Sequence, residues 1–212
     1  MIGWSRNMLY SGFNILPRSV VRCQTGFAAR ITRTLSGSES FIVIERKTIG
    51  EFIDASVNDQ PQAKRLLNAN PELRNATWLG DEPIIMFLAI ENFAGAIKFC
   101  VQSGFDVNGG ENEFNETPLH NACKLNYPDV VRVLCELGAD TNAISIIDAT
   151  PLYCCIDNAN PDIIDTLISH GADPHYITDL GKSIFDNWPN CATKQAALRM
   201  ALDRHGVKEN AG

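Results

Sequence analysis

Apolar residues in the middle of this chain come in short bursts at three- and four-residue spacing. Leu119, Ala122 and Cys123 form one burst, and Val130, Val131, Leu134 and Leu137 form the next. That spacing is the period of helices burying one face. The bursts are punctuated. Thr117 can cap the first helix, and Pro118 stands where a missing N–H costs nothing. Pro128 cannot continue that helix and opens a second, with Asp129 in its first turn, where the helix dipole favours negative charge. Gly138 suits the left-handed residue that ends a helix, and Asp140 to Asn142 is turn-prone. The predicted unit is a helix, a tight turn, a second helix and a projecting loop.

The unit is then written again, 33 residues further on. Thr117, Pro118 and Leu119 return as Thr150, Pro151 and Leu152; Pro128 to Val131 return as Pro161 to Ile164. Leu134 returns as Leu167, and Gly138-Ala139-Asp140 as Gly171-Ala172-Asp173. A fixed offset with the same punctuation marks a repeat architecture. One helix pair cannot bury both faces alone, whereas a stack makes a continuous core. The TPLH start, the small residues after it and the GAD-x-N ending resemble the ankyrin repeat, whose period is about 33 residues. The likeness is close over 117–149 and 150–182. In the second copy Tyr153 replaces the histidine, and Pro174-His175 replaces the apolar–Asn pair.

The flanks fit the same scheme less exactly. Ile49, Phe52, Ile53 and Val57, then Ala63, Leu66 and Leu67, predict a helix pair over 45–71 lacking the TPLH signature. It follows an apolar run, Phe41 to Ile44, and a polar break, Glu45 to Thr48. Asn70 and Pro71 stop it, and Trp78 is expected to cover its edge. Residues 83–116 read as a degraded repeat with helices at Ile85 to Glu91 and around Ala96, Ile97, Phe99 and Cys100. One extra residue there predicts a bulging loop at 109–116. Residues 183–206 read as a closing cap, with a helix from Thr193 to His205 burying Ala196, Ala197, Met200 and Ala201, and 207–212 as a frayed tail. The predicted fold class is all-α: a solenoid of about four to five helix-turn-helix units, with β-turn loops and atypical caps, over 41–206.

Charge divides the chain. Residues 1–38 carry five arginines and no acid, and the remainder carries 13 basic and 25 acidic residues, a net of −12. A basic, Ser-containing, acid-free start resembles a mitochondrial transit peptide. An unstructured tail and an upstream start codon remain open beside it, so residues 1–40 are kept apart from the fold. The expected location is cytoplasmic, or mitochondrial if that segment is imported and removed. An acidic stack is the wrong sign for phosphate, so nucleic acid is not an expected partner. No apolar run reaches the roughly 20 residues of a membrane span.

Little points to chemistry. Seven cysteines without a secretory signal read as reduced thiols. Cys100, Cys123, Cys135 and Cys155 occupy core positions, and Cys154 is expected to face a groove. Adjacent cysteines on a helix do not converge on a metal, so no metal site or cofactor is expected. Acids such as Asp162 and Asp165 read as a solvated face. Of the histidines, His120 belongs to TPLH, and the resemblance implies a bond to backbone between loops.

The resemblance also implies function: a monomeric, non-enzymatic module that holds a protein partner in a concave groove of first helices and loop tips. Carried onto this sequence, the groove positions are Glu113, Phe114 and Glu116; Lys124 and Leu125; Ile146, Ile147 and Asp148; Cys154, Asp157 and Asn158; and Asp179, Leu180 and Lys182. Phe114, Ile146 and Ile147 are large apolar residues on turn tips, either interface anchors or packed against adjacent turns. Acidic neighbours favour a basic or mixed-charge segment. A protein that masks a single partner, an organelle-imported adaptor, and an enzyme or thiol sensor are the alternative classes.

Overall fold

The computed structural model describes residues 29–30, 43–78, 82–109, 115–186, 189 and 191–208. Among them the chain forms nine α-helices and one short strand pair. In chain order the helices are α1 (Arg46–Asn58), α2 (Gln60–Ala69), α3 (Ile84–Ile90), α4 (Ala94–Gln102), α5 (Pro118–Lys124), α6 (Pro128–Glu136), α7 (Pro151–Cys154), α8 (Pro161–Ser169) and α9 (Ala192–Arg204). The first helices stack as one row, α3 on α5 and α5 on α7. The second helices stack as another, α4 on α6, α6 on α8 and α8 on α9. The architecture is the expected helical solenoid.

Each unit is built as its sequence dictates. In α6, Val130, Val131 and Leu134 are fully buried, and Leu167 repeats this in α8. Cys135, not Leu137, completes the stripe: α6 ends at Glu136, which leaves Leu137 half-buried at the cap. Gly138 then turns left-handed at φ 85°, a conformation that glycine adopts without a Cβ clash. Helix α7 has only four residues where α5 has seven. Tyr153, Cys154, Cys155, Ile156, Asp157 and Asn158 are all weak helix formers, whereas Ala122, Lys124 and Leu125 are strong ones.

The tight turn inside each of the three units after the N-terminal pair is left-handed, at Asn92 (φ 65°), Asn126 (φ 60°) and Ala159 (φ 49°). Asn tolerates this region; alanine pays a steric cost there. Ala159→Gly is therefore expected to stay within about 0.5 kcal/mol of wild type despite losing a buried methyl, while Ala159→Val costs about 2 kcal/mol or more. Urea midpoints of the two variants check this.

The N-terminal pair closes the stack. Ile49, Phe52, Ile53, Ala63 and Leu67 are buried, and Val57 and Leu66 are half-buried. Helix α1 begins at Arg46 rather than Ile49, so the expected polar break is its first turn. Trp78 is buried against α1, its ring 3.1 Å from where a Cβ on Gly50 would sit. Phe87 meets it edge-on at 6.3 Å, and Phe52 stacks on Phe105 at 5.5 Å. Those aromatics join the cap to the second unit, where Phe99 is half-buried beside fully buried Ala96, Ile97 and Cys100. Ala29–Arg30 pairs antiparallel with Val43–Ile44, so part of the segment set apart from the fold is attached to it.

The C-terminal cap differs from expectation. Helix α9 buries Leu198, Ala201 and Leu202, while Ala196 and Met200 are exposed and Ala197 is half-buried. Asp165 fixes that orientation by accepting from Arg204 at 2.9 Å and pairing with His205 at 3.0 Å. This acid is a clamp between α8 and α9, not part of a free solvated face.

Candidate partner-binding groove

The loops between units are built from one recurring set of hydrogen bonds. Asp106, Asp140 and Asp173 each accept from the backbone N–H two residues on, at 2.9, 2.9 and 2.8 Å. The side chain of Asn108 then accepts from the Asp140 N–H, and that of Asn142 from the Asp173 N–H, stitching each loop to the next. Beyond these turns the chain runs out and back. Ser145 N–H bonds the Ala149 carbonyl at 3.1 Å, and Thr178 N–H bonds that of Lys182 at 2.8 Å. At the end of each excursion one residue is left-handed: Asn115 (φ 50°), Asp148 (φ 58°) and Gly181 (φ 68°), spaced by 33.

His120 ties a loop to its helix. It is fully buried. Its Nδ1 accepts from the Thr117 N–H at 3.1 Å, so Nε2 carries the proton and donates to the Ala149 carbonyl at 2.9 Å. Burial pulls its pKa down, opposed by the Ala149 carbonyl; the ring is a neutral strut. Tyr153 in the next unit has no ring nitrogen to repeat this. There the Asp148 carboxylate accepts from the Tyr176 hydroxyl and the Asp179 N–H instead. Holding that hydroxyl proton raises the Tyr176 pKa to about 12.

Several groove positions are thus occupied with internal work. Asp148 fastens loop to loop, Glu116 pairs with Lys124, and Asn158 donates to the Lys124 carbonyl at 3.1 Å at the end of α5. Cys154 is half-buried rather than open, and burial pushes its thiol up to about 11. Cys155 and Cys100 are pushed to about 12 and Cys135 to about 11 for the same reason. Only Cys191, exposed at the start of α9, goes the other way among the described thiols, its pKa lowered by the N–H groups of Lys194 and Thr193. Among the described residues no group of His, Cys, Asp and Glu could hold a metal ion.

What the loops do present is apolar. Ile146 and Ile147 are each 66% exposed and Leu180 is 87% exposed, so these tips do not pack on their neighbours. Leu125 is exposed beside them, as are Asp157, Asp179 and Lys182. Glu113 and Phe114, and most of the loop expected to bulge, lie outside the described residues. Sequence reasoning missed Ile144 and Ile177, both exposed and 33 residues apart. The signal was present: on each extended arm they alternate with buried Ser145 and Thr178, the period of two that strand-like chain imposes.

Stacked helix pairs with outward loops define a class, the repeat solenoids that bind through an extended surface. The family is set by sequence comparison. The profile described as ankyrin repeats (3 copies) matches residues 52–145, and that of the single ankyrin repeat matches 148–179, together more than half of the chain. The chain belongs to the ankyrin repeat family. The match reaches into the capping pair and the degraded repeat. Among curated relatives, human BCL-6 corepressor-like protein 1 is 30% identical over 125 residues, 58% of this chain and 6% of that protein. Mouse Rabankyrin-5 is 36% identical over 91 residues, 38% of this chain and 8% of its own. Mouse ankyrin repeat and SOCS box protein 11 is 33% identical over 89 residues, 42% and 26% respectively. The chain therefore spans only a small part of the relatives it matches. What the family implies is a protein-interaction module. No helix among the described residues is long and apolar enough to cross a membrane.

Proposed function

We propose that this protein holds a segment of a partner protein across the loop tips and first helices of its two best-formed repeats. Ile146, Ile147 and Leu180 anchor the segment, and Leu125, Asp157, Asp179 and Lys182 line its path; Glu113 and Phe114 extend the same row on sequence grounds. The supporting observation is the exposure of three large aliphatic side chains on adjacent tips. Water penalises each by roughly 1.5–3 kcal/mol relative to burial, and an interface is what removes such a cost. Glu116, Lys124, Asp148, Cys154 and Asn158 shape the surface rather than contact the guest, because their polar groups already serve the fold or are half-buried. The chemistry is recognition, with no bond made or broken.

The test is a partner captured by the wild-type protein. Ile147→Asp with Leu180→Asp is expected to lower its affinity by at least about tenfold, while thermal unfolding stays within about 0.5 kcal/mol of wild type, as for surface changes. Unchanged capture by a folded double variant would exclude the tips as the binding surface.

A further inference from the structure

The excess negative charge and the exposed apolar surface of this protein fall in the same stretch of chain, with Asp157 and Asp179 exposed beside the tips. Residues 115–186 contain eleven Asp and Glu against three Lys and Arg, a net of −8 out of −7 for the whole chain. Among the described residues, the six large apolar side chains exposed outside α9, from Leu125 to Leu180, fall in that same stretch. A complementary occupant is therefore a segment rich in apolar residues, with arginine or lysine and no acid. One such segment is in the chain itself. Residues 1–28 contain Arg6, Arg18 and Arg22, no Asp or Glu, and Trp4, Leu9, Phe13, Ile15, Leu16 and Phe27.

We propose that residues 1–28 occupy the tip surface of their own molecule, in competition with a partner segment of the same chemistry. The proposal rests on the binding surface described above and names its resident. The connection permits it. Ala29–Arg30 is fixed to the N-terminal end of the stack by pairing with Val43–Ile44. A chain of 28 residues spans up to about 90 Å, and packed helices are about 10 Å apart, so tips three units away lie well within reach. Arginines beside Asp157 and Asp179 would gain Coulomb attraction, while Leu and Phe side chains cover Ile147 and Leu180. The apolar contact is the part that salt does not screen.

The experiment uses the full chain and a fluorescent peptide of residues 1–28. In the wild-type protein the tethered segment competes with the peptide. Reversing its charge by Arg6→Glu, Arg18→Glu and Arg22→Glu is expected to free the surface, so that this variant binds the peptide at least about tenfold more tightly than wild type. Adding Ile147→Asp and Leu180→Asp is expected to abolish that binding, and circular dichroism reports whether the variants remain folded. No peptide binding by the charge-reversed chain overturns the proposal. If that chain instead binds an unrelated acid-free peptide of Arg, Leu and Phe at the tips, the surface stands and only its resident is wrong. If neither peptide binds, the groove reading falls with it. Wild-type protein that sediments as a dimer, and becomes monomeric on charge reversal, overturns occupancy within one molecule in favour of a second copy.

Discussion

Leu134→Ala is expected to destabilise the protein by about 2–5 kcal/mol. Leu134 is fully buried in α6, and α6 packs on both α4 and α8. Because α6 also packs on α5 of its own unit, the cavity weakens the unit's interior and its contacts with both neighbours. In a solenoid the stability is a sum of unit and nearest-neighbour terms, so the loss is not shared with a distant core. A urea titration followed by circular dichroism measures it. A shift below about 0.5 kcal/mol, the size of an ordinary surface effect, would place Leu134 outside the core. Leu137→Ala, at a half-buried position beyond the helix end, is the internal control, with a clearly smaller loss.

His120→Gln is the second large effect. The ring links three features: the Thr117 N–H, the start of α5, and the Ala149 carbonyl at the base of the next loop. Glutamine cannot hold both partners in the same geometry, and a buried donor left without an acceptor costs about 1–3 kcal/mol. With the lost packing, a total of about 2–4 kcal/mol is expected. The pH dependence identifies the cause. Burial holds the folded pKa below 6.5, so the neutral ring is what the fold requires. Well above pH 6.5 neither state protonates and the full contribution is present. As pH falls from 6.5 toward the folded value, the unfolded chain takes up a proton first, and stability drains away. The gap between wild type and His120→Gln is thus expected to be flat above pH 7 and to narrow below pH 6.5. A gap independent of pH would mean that the ring serves only as bulk.

Much of this fold is legible in the sequence because its punctuation is local. Thr-Pro starts, Gly ends and three-four spacing depend on neighbours a turn away, and α5, α6 and α8 appear where those signals stand. The errors came where distant residues decide. Ala196 and Met200 look as apolar as Leu198 and Leu202; what selects the buried face of α9 is Asp165, forty residues upstream in the case of His205. The length of α7 depended on weak helix formers hidden behind a strong TPLY start. The site was half legible. Its tips could be placed by the 33-residue offset, but the sequence leaves Ile146 and Ile147 open between exposed anchors and packed side chains, and it is the structure that exposes them. That Asp148, Asn158 and the Glu116–Lys124 pair are spent on the fold could not be read, because each depends on a partner brought close only by stacking. Ile144 and Ile177 escape for a narrower reason: the loops are read as turn tips alone, without the two-residue alternation of the extended arms that lead to them.

The absent histidine in the last full unit has a mechanical consequence. The 145–149 excursion is pinned from α5 through His120, but the 178–182 excursion hangs from the tip before it, through Asp148. Its supporting helix, α7, is also the shortest α-helix among the described residues. Opening should therefore start at the C-terminal end and run backwards, with Leu180 swinging on a looser hinge than Ile147. A guest gripping both would add a second tie between two loops that Asp148 fastens at their tips.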